Sequence, residues 1–278
     1  MKRLRRFQVP YLVWMGVLII IPTFVLILLA FSTLELYNIG PFKFTLSNFS
    51  ILIAKQVYTA LWNSLKLSVI TTVICFIIGY PVAFYLSTLP SKPRKILMSL
   101  LIIPLWSNML LRIVAWEKVF TPNSYFTDIT GLSFNLLGSQ TAIVIGMVAM
   151  YLPFMIFPIF SVLEKLDKKL LEASQDLGAT DSQTFFKVIF PLSSGGVVSG
   201  VIMTMLPSMT SFVLPARLGL GNFPLIGNII ESKFMKEVLG SSGISINEGS
   251  LISLFIMILS IVAFIMITRV DKEGETLI

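Results

Sequence analysis

Six apolar runs, a low share of charged residues and short basic loops between the runs predict an all-α membrane protein with six transmembrane helices. The 278 residues are 55% hydrophobic and 13% charged, against about 25% charged in an ordinary soluble domain. Mean hydropathy is +0.89. The net charge of +7 points to membrane topology rather than to nucleic acid, because the basic residues cluster in short loops beside apolar runs. No linker, low-complexity segment or repeat divides the chain, so 1–278 is expected to form a single transmembrane domain.

Each run is long enough to cross a hydrocarbon core, which takes about 20 residues. The first, 9–31, follows the basic opening MKRLRRFQ. It is too long for a signal h-region and ends at no small-residue cleavage site, so it is expected to be an uncleaved span. In the segment 32–59, Ser47 is a plausible cap for an amphipathic stretch along the outer interface. The second span, 60–87, holds the single cysteine, Cys75, which reads as a small buried hydrophobe. The basic loop SKPRK (91–95) leads to the third span, 96–116, and the turn-rich 117–139 leads to the fourth, 140–163. After the polar stretch 164–192 come the fifth span, 195–214, and the segment 215–248, where LIGNIIESKFMKEVLG reads as short helices. The sixth span, 249–268, closes the set.

Charge orients the spans. Thirteen of the 21 lysines and arginines, among them Lys2, Arg3, Lys92, Arg94, Lys95, Lys165 and Lys169, fall on the side that carries both termini. That side is therefore expected to be cytoplasmic, and the stretch 164–192 with it.

Catalytic chemistry has little to work with. There is no histidine, hence no Ser-His-acid triad, and the commonest metal ligand is missing. No phosphate loop of the G-x-x-x-x-G-K-[ST] type is present. The spans hold almost no carboxylates for intramembrane acid–base work. A pathway driven from elsewhere fits better. The two rivals are a self-sufficient secondary transporter or channel, which calls for buried ionisable residues, and a membrane enzyme.

The stretch EKLDKKLLEASQDLGATDSQTFFKVIFPL (164–192) is where a motor could push. Leu166, Leu170, Ala173 and Leu177 recur at helical spacing on one face, and Lys165, Lys168, Lys169, Glu172 and Asp176 line another. Lys168 and Glu172 stand four apart and can pair. Gly178 is the stop, because glycine adopts the left-handed C-terminal conformation without steric cost. Thr180 with Gln183 reads as a capping box for a second short helix carrying Phe185, Val188 and Ile189 and ending before Pro191. The expectation is two short helices with a glycine elbow.

This pattern resembles the cytoplasmic loop of type I ABC importer permeases, in which Glu-Ala-Ala is followed by a spaced Gly and a terminal Pro. Here it reads Glu172-Ala173-Ser174, Gly178-Ala179, Val188 and Pro191, with Ser174 in place of the second alanine. PLWSNMLLRIVAWEKVF (104–120), PFMIFPIFSVLEKLDKKLLEASQDLGA (153–179) and LIGNII (225–230) are similar to the permease subunits of spermidine/putrescine importers, and the resemblance runs from about Ile20 to the last span. It implies a six-span permease that pairs with a second related permease. It also implies ATPase subunits, with ATP and Mg bound there and no cofactor on this chain, and an extracytoplasmic polyamine-binding protein. Transport would follow alternating access in the bacterial cytoplasmic membrane, with polyamine as substrate or, alternatively, another small organic solute. Glu172, Ala173, Ser174, Gly178 and Ala179 become the ATPase-coupling residues, and Glu172 is expected to meet a basic residue of the ATPase.

A substrate path is expected from the residues themselves. Pro104, Pro153 and Pro207 lie inside spans three, four and five, and the last two fall near mid-depth at about 1.5 Å per residue. Each removes an amide donor and frees a carbonyl, tolerated where the helix faces protein or a water-filled cavity. Prolines are also simply common in membrane helices. Trp106 and Asn108 lie in the outer half of span three, and aromatic faces attract cations. Trp116 reads as an interface residue and Glu117 either as a structural ion-pair partner or as a substrate contact. Tyr151, Ser208 and Ser211, near the two mid-span prolines, complete the path.

Overall fold

The computed structural model describes residues 2–33, 43–122, 125–131, 135–238 and 244–275. Apart from one isolated bridge between Ser32 and Phe44, the regular structure among them is helical. In chain order it comprises α1 (Lys2–Ala30), a 3-10 turn (Ser47–Ile53), α2 (Lys55–Thr88), α3 (Ser91–Trp106), α4 (Met109–Phe120), α5 (Tyr125–Thr130) and α6 (Gln140–Leu163). Then follow α7 (Lys168–Asp176), α8 (Asp181–Thr184), a π turn (Phe185–Ile189), α9 (Phe190–Leu192), α10 (Ser194–Met209), α11 (Val213–Leu218), α12 (Ile226–Val238) and α13 (Ile244–Glu275).

Among the described residues, four helical stretches are long and apolar enough to cross a membrane unaided: Pro10–Ala30, Lys55–Thr88, Gln140–Leu163 and Ile246–Thr268. The other two expected spans are bent pairs. α3 and α4 meet at 94°, and Asp181–Leu192 meets α10 at 61°. Six spans are present when each pair counts as one. The third is therefore not the straight run 96–116. Ser107 and Asn108 break it, and the Asn108 side chain accepts the amide of Leu110 at 2.8 Å, which caps α4 and satisfies a donor that the new helix start would leave open. The fifth span also ends early, at Met209 rather than 214, so Pro207 lies in the last turn of α10.

The chain divides into two compact units, Met1–Thr59 with Ile229–Ile261 and Ala60–Asn228 with Val262–Ile278. In the first, two carboxamides serve the carbonyls at the end of α1. Asn48 donates to Ala30 at 2.9 Å and to Ser32 at 3.1 Å, and Asn247 donates to Ser32 at 3.0 Å. Lys233 and Glu248 form a largely buried ion pair beside them. Ser47 is not the cap expected of it. Leu46 precedes the 3-10 turn without a side-chain bond, and the Ser47 hydroxyl pairs instead with Thr45 at 2.9 Å.

In the second unit α6 is the central element, and α10 lies tightly along it. A Cβ on Gly196 would come within 2.9 Å of Ile159 Cα and of the Pro158 carbonyl, and one on Gly200 within 3.1 Å of the Met155 carbonyl. Bare glycines thus let two backbones touch, which matters in a bilayer, where helix contact rests on packing rather than on the hydrophobic effect. Ile143, Met147, Leu214, Leu218 and Leu225 fill one end of the unit, and Cys75, Met155, Ile156 and Ile159 fill the other.

Candidate functional site

α6 stops at Leu163, and Glu164 just beyond it pairs with Arg94 at 3.2 Å. The next helix does not begin until Lys168. Asp167 caps it by accepting the amide of Lys169 at 3.0 Å, a cap signal the sequence carried and the reading above missed. The end of α7 is closed by two backbone bonds, Ala179 to Ser174 at 3.1 Å and Gly178 to Gln175 at 2.9 Å. This is the Schellman arrangement, which needs a left-handed residue just past the helix. Gly178 supplies it with φ of +82°.

Both halves of the expected capping box are present. Gln183 donates its amide to the Thr180 hydroxyl at 3.3 Å, and Thr180 donates its amide to the Gln183 side chain at 3.0 Å. Two further bonds lock the elbow: Ser174 with Thr184 at 2.8 Å, and Gln175 with Asp181 at 3.1 Å. The second helix does not end before Pro191. A π turn over Phe185–Ile189 precedes the proline and the chain stays helical to Leu192. The wider turn relieves the clash between the proline ring and the carbonyl four residues back.

The outward face of the elbow differs from a simple amphipathic reading. Because α7 starts at Lys168, Leu171 and Ser174 turn inward, whereas Leu170, Ala173 and Leu177 face out. Leu177 is 89% exposed. Glu172 is exposed, and it rims a cavity of about 360 Å³ between the elbow and the ends of α2 and α6, lined also by Phe84, Thr88, Leu163, Leu171 and Gln175. The expected pairing of Glu172 with Lys168 lies outside the described residues. An exposed leucine and an exposed carboxylate thus stand on this protrusion.

The six path residues do not come together as one site. Trp106 ends α3 and is 88% exposed. Asn108 is occupied in capping α4. Glu117 is paired with Arg217 of α11 at 3.8 Å, a partner one hundred residues away that spacing does not reveal. Tyr151, Ser208 and Ser211 do meet, in a buried seam between α6 and the end of α10. The Tyr151 hydroxyl donates to the Pro207 carbonyl at 3.4 Å. That carbonyl is available to side chains because α10 ends there, and not because a mid-span proline freed it; the Thr210 hydroxyl also reaches it, at 3.4 Å. Ser208 donates back to Met205 at 2.9 Å. Ser211 lies beside the Tyr151 hydroxyl, buried and, among the described residues, without a well-formed hydrogen bond. Thr204, one helical turn before Ser208 on α10 and not among the expected path residues, is fully buried, with no hydrogen bond to its hydroxyl among the described residues.

Comparison with known proteins agrees with this architecture. Over 254 residues the chain is 37% identical to the spermidine/putrescine transport system permease protein PotB of Haemophilus influenzae, covering 88% of each. It is 35% identical over 228 residues to the PotB permease of Escherichia coli strain K12, covering 80% of this chain and 83% of that one. Among solved structures, a bacterial ABC transporter that imports the acidic polysaccharide alginate matches with a TM-score of 0.74 at 16% identity, over 97% of this chain and 95% of that one. The MetNI methionine ABC transporter, in an inward-facing form, matches with a TM-score of 0.55 at 18% identity, over 84% and 99%. The family described as binding-protein-dependent transport system inner membrane component matches residues 1–273, and this chain is a member of that family.

Proposed function

We propose that the chain is the permease subunit of an ATP-driven importer of polyamines, spermidine or putrescine, in a bacterial cytoplasmic membrane. The observation that carries this reading is the elbow 164–192, a rigid protrusion closed by Gly178 and by the Thr180–Gln183 box. A rigid knob transmits force where a tether cannot. Both termini and the elbow lie in the cytoplasm, and the elbow seats in an ABC ATPase that binds ATP and Mg. The ATPase-coupling residues are Glu172, Ala173, Ser174, Gly178 and Ala179, with Leu177 beside them. A second related permease completes the pathway, an extracytoplasmic binding protein delivers the substrate, and the whole chain acts as one permease domain.

Polyamine as substrate is supported by relatives at 35% and 37% identity. Fold alone does not select it, since transporters of alginate and of methionine share the architecture. Trp106, Asn108, Glu117, Tyr151, Ser208 and Ser211 remain the proposed path residues.

The test is reconstitution. Proteoliposomes holding this chain, its partner permease, the ATPase and the binding protein should take up labelled spermidine or putrescine only with ATP. Uptake by this chain alone under an ion gradient would instead establish a secondary transporter.

A further inference from the structure

Tyr80 of α2 and Ser193, the residue between α9 and α10, share a buried hydrogen bond of 2.7 Å. Ser193 is fully buried and Tyr80 is 5% exposed. The Ser193 hydroxyl also donates to the Phe190 carbonyl at 3.0 Å. A serine has one hydroxyl proton. With that proton directed to Phe190, the oxygen accepts from Tyr80. The bonds therefore run from the Tyr80 hydroxyl, through Ser193, to the Phe190 carbonyl.

That carbonyl lies at the 61° bend where the elbow segment Asp181–Leu192 meets α10. A bend disturbs the helical pairing of backbone groups; here the Phe190 carbonyl accepts the Ser193 amide at 3.2 Å, and the Ser193 hydroxyl adds a second donor. The Tyr80 ring is itself held, with ring centroids 5.8 Å from Phe76, 5.8 Å from Phe185 and 5.5 Å from Phe190. On the far side of the joint, Gly196 and Gly200 clamp α10 against α6. The elbow is locked within itself and packs through Phe185 and Ile189 into the core that α2 and α6 share, α10 is locked to α6, and Ser193 is the hydrogen-bonded contact at the joint between them.

We propose that Tyr80 is a positioning residue for ATP-driven transport: through Ser193 it fixes the angle between the elbow segment and α10, so that a displacement of the elbow moves α2 and α10 together. This rests on the elbow being the seat of the ATPase. Without the Tyr80 hydroxyl the elbow still docks and ATP is still hydrolysed, but less of the stroke reaches α10.

Tyr80→Phe keeps the ring and deletes the bond, and Ser193→Ala deletes it from the other side. In the full transporter, uptake per ATP hydrolysed should fall about threefold to tenfold in each single variant. ATPase association should stay native, and the double variant should be no worse than either single. A second measurement reads the joint directly. Spin labels at Leu177→Cys and Met203→Cys, two exposed positions, in a Cys75→Ala background of the full chain should show a narrow distance distribution that Tyr80→Phe broadens. Native uptake per ATP in Tyr80→Phe, losses that multiply in the double variant, or an unchanged label distribution would each overturn the proposal. A Gly178→Val arm judges the elbow separately. Native ATPase association there would remove the seat, while the label distances still decide whether Tyr80 holds the bend.

Discussion

Ser174 and Thr184 join their hydroxyls at 2.8 Å across the elbow. Ser174 stands where the family pattern has alanine, and the bond gives that change a physical meaning. Thr184 is 4% exposed, and no other hydrogen bond to its hydroxyl is seen among the described residues. Ser174→Ala therefore strands a buried hydroxyl, at a cost of about 1–3 kcal/mol. The expected outcome is faster hydrogen exchange of the amides of 180–184 with the spans unaffected. A double-mutant cycle with Thr184→Val should return a coupling of about 1 kcal/mol, because removing both partners is far milder than removing one.

Gly178 tests the elbow by backbone alone. Its φ is +82°, and nothing among the described residues lies within 4 Å of where a Cβ would stand. Any effect of substitution thus comes from conformation and not from a clash. A β-branched residue strains this region, with a penalty of about 1–2 kcal/mol per residue for ordinary side chains, whereas asparagine enters it more readily. Gly178→Val should leave the chain inserted but lose the ATPase in a pull-down, and Gly178→Asn should retain most of it. Glu172→Ala should weaken association through loss of a charge-assisted bond of roughly 1.5–3 kcal/mol, with a deficit that shrinks as salt rises. Leu177→Ala should weaken it without that salt dependence, since the exposed leucine contributes apolar area.

Gly196 makes the claim about packing quantitative. A Cβ there would lie 2.9 Å from two backbone atoms of α6, Ile159 Cα and the Pro158 carbonyl. Backbone cannot rotate away as a side chain can, so the helices must part. Gly196→Ala should destabilise the purified chain by about 1–3 kcal/mol, seen as a lower thermal midpoint in detergent. Substitution at Gly16 of α1, where a Cβ would meet only a side-chain tip at 3.8 Å, should leave the midpoint unchanged.

Legibility in the sequence followed the range of each interaction. The fourth span, 140–163, agrees with α6 residue for residue, because its limits are set by local signals, Ser139 before it and charge after it. The elbow was legible for the same reason, since Gly178, Thr180 and Gln183 act within a few residues. Hydropathy averages over a window, so it hid the 94° break at Asn108, although an asparagine before a helical run is itself a cap signal. The outward turn of Leu177 depended on placing the start of α7 at Lys168, which in turn depended on recognising Asp167. Glu117 with Arg217 and Tyr80 with Ser193 pair residues about one hundred positions apart, and no spacing rule reaches that far.

The buried seam offers the sharpest separation of packing from function. Thr204 is fully buried and Ser211 is 7% exposed, and among the described residues neither hydroxyl has a hydrogen-bond partner of good geometry. An unmade bond in a buried site costs about 1–3 kcal/mol, so a seam built only for stability would carry valine and alanine there. Thr204→Val keeps the shape of the side chain and removes the unsatisfied group, and Ser211→Ala does the same with a small loss of volume. Both variants should therefore raise the thermal midpoint, by an amount equivalent to about 1 kcal/mol each. If the hydroxyls are retained for the substrate path, the same variants should lower polyamine uptake while ATPase association stays native, which is the usual signature of stability given up at a working site. Trp106→Ala is the complementary variant. At 88% exposure its loss should leave the midpoint unchanged and lower uptake alone. A raised midpoint with native uptake in Thr204→Val and Ser211→Ala would remove the seam from the path, and native uptake by Trp106→Ala would remove the tryptophan.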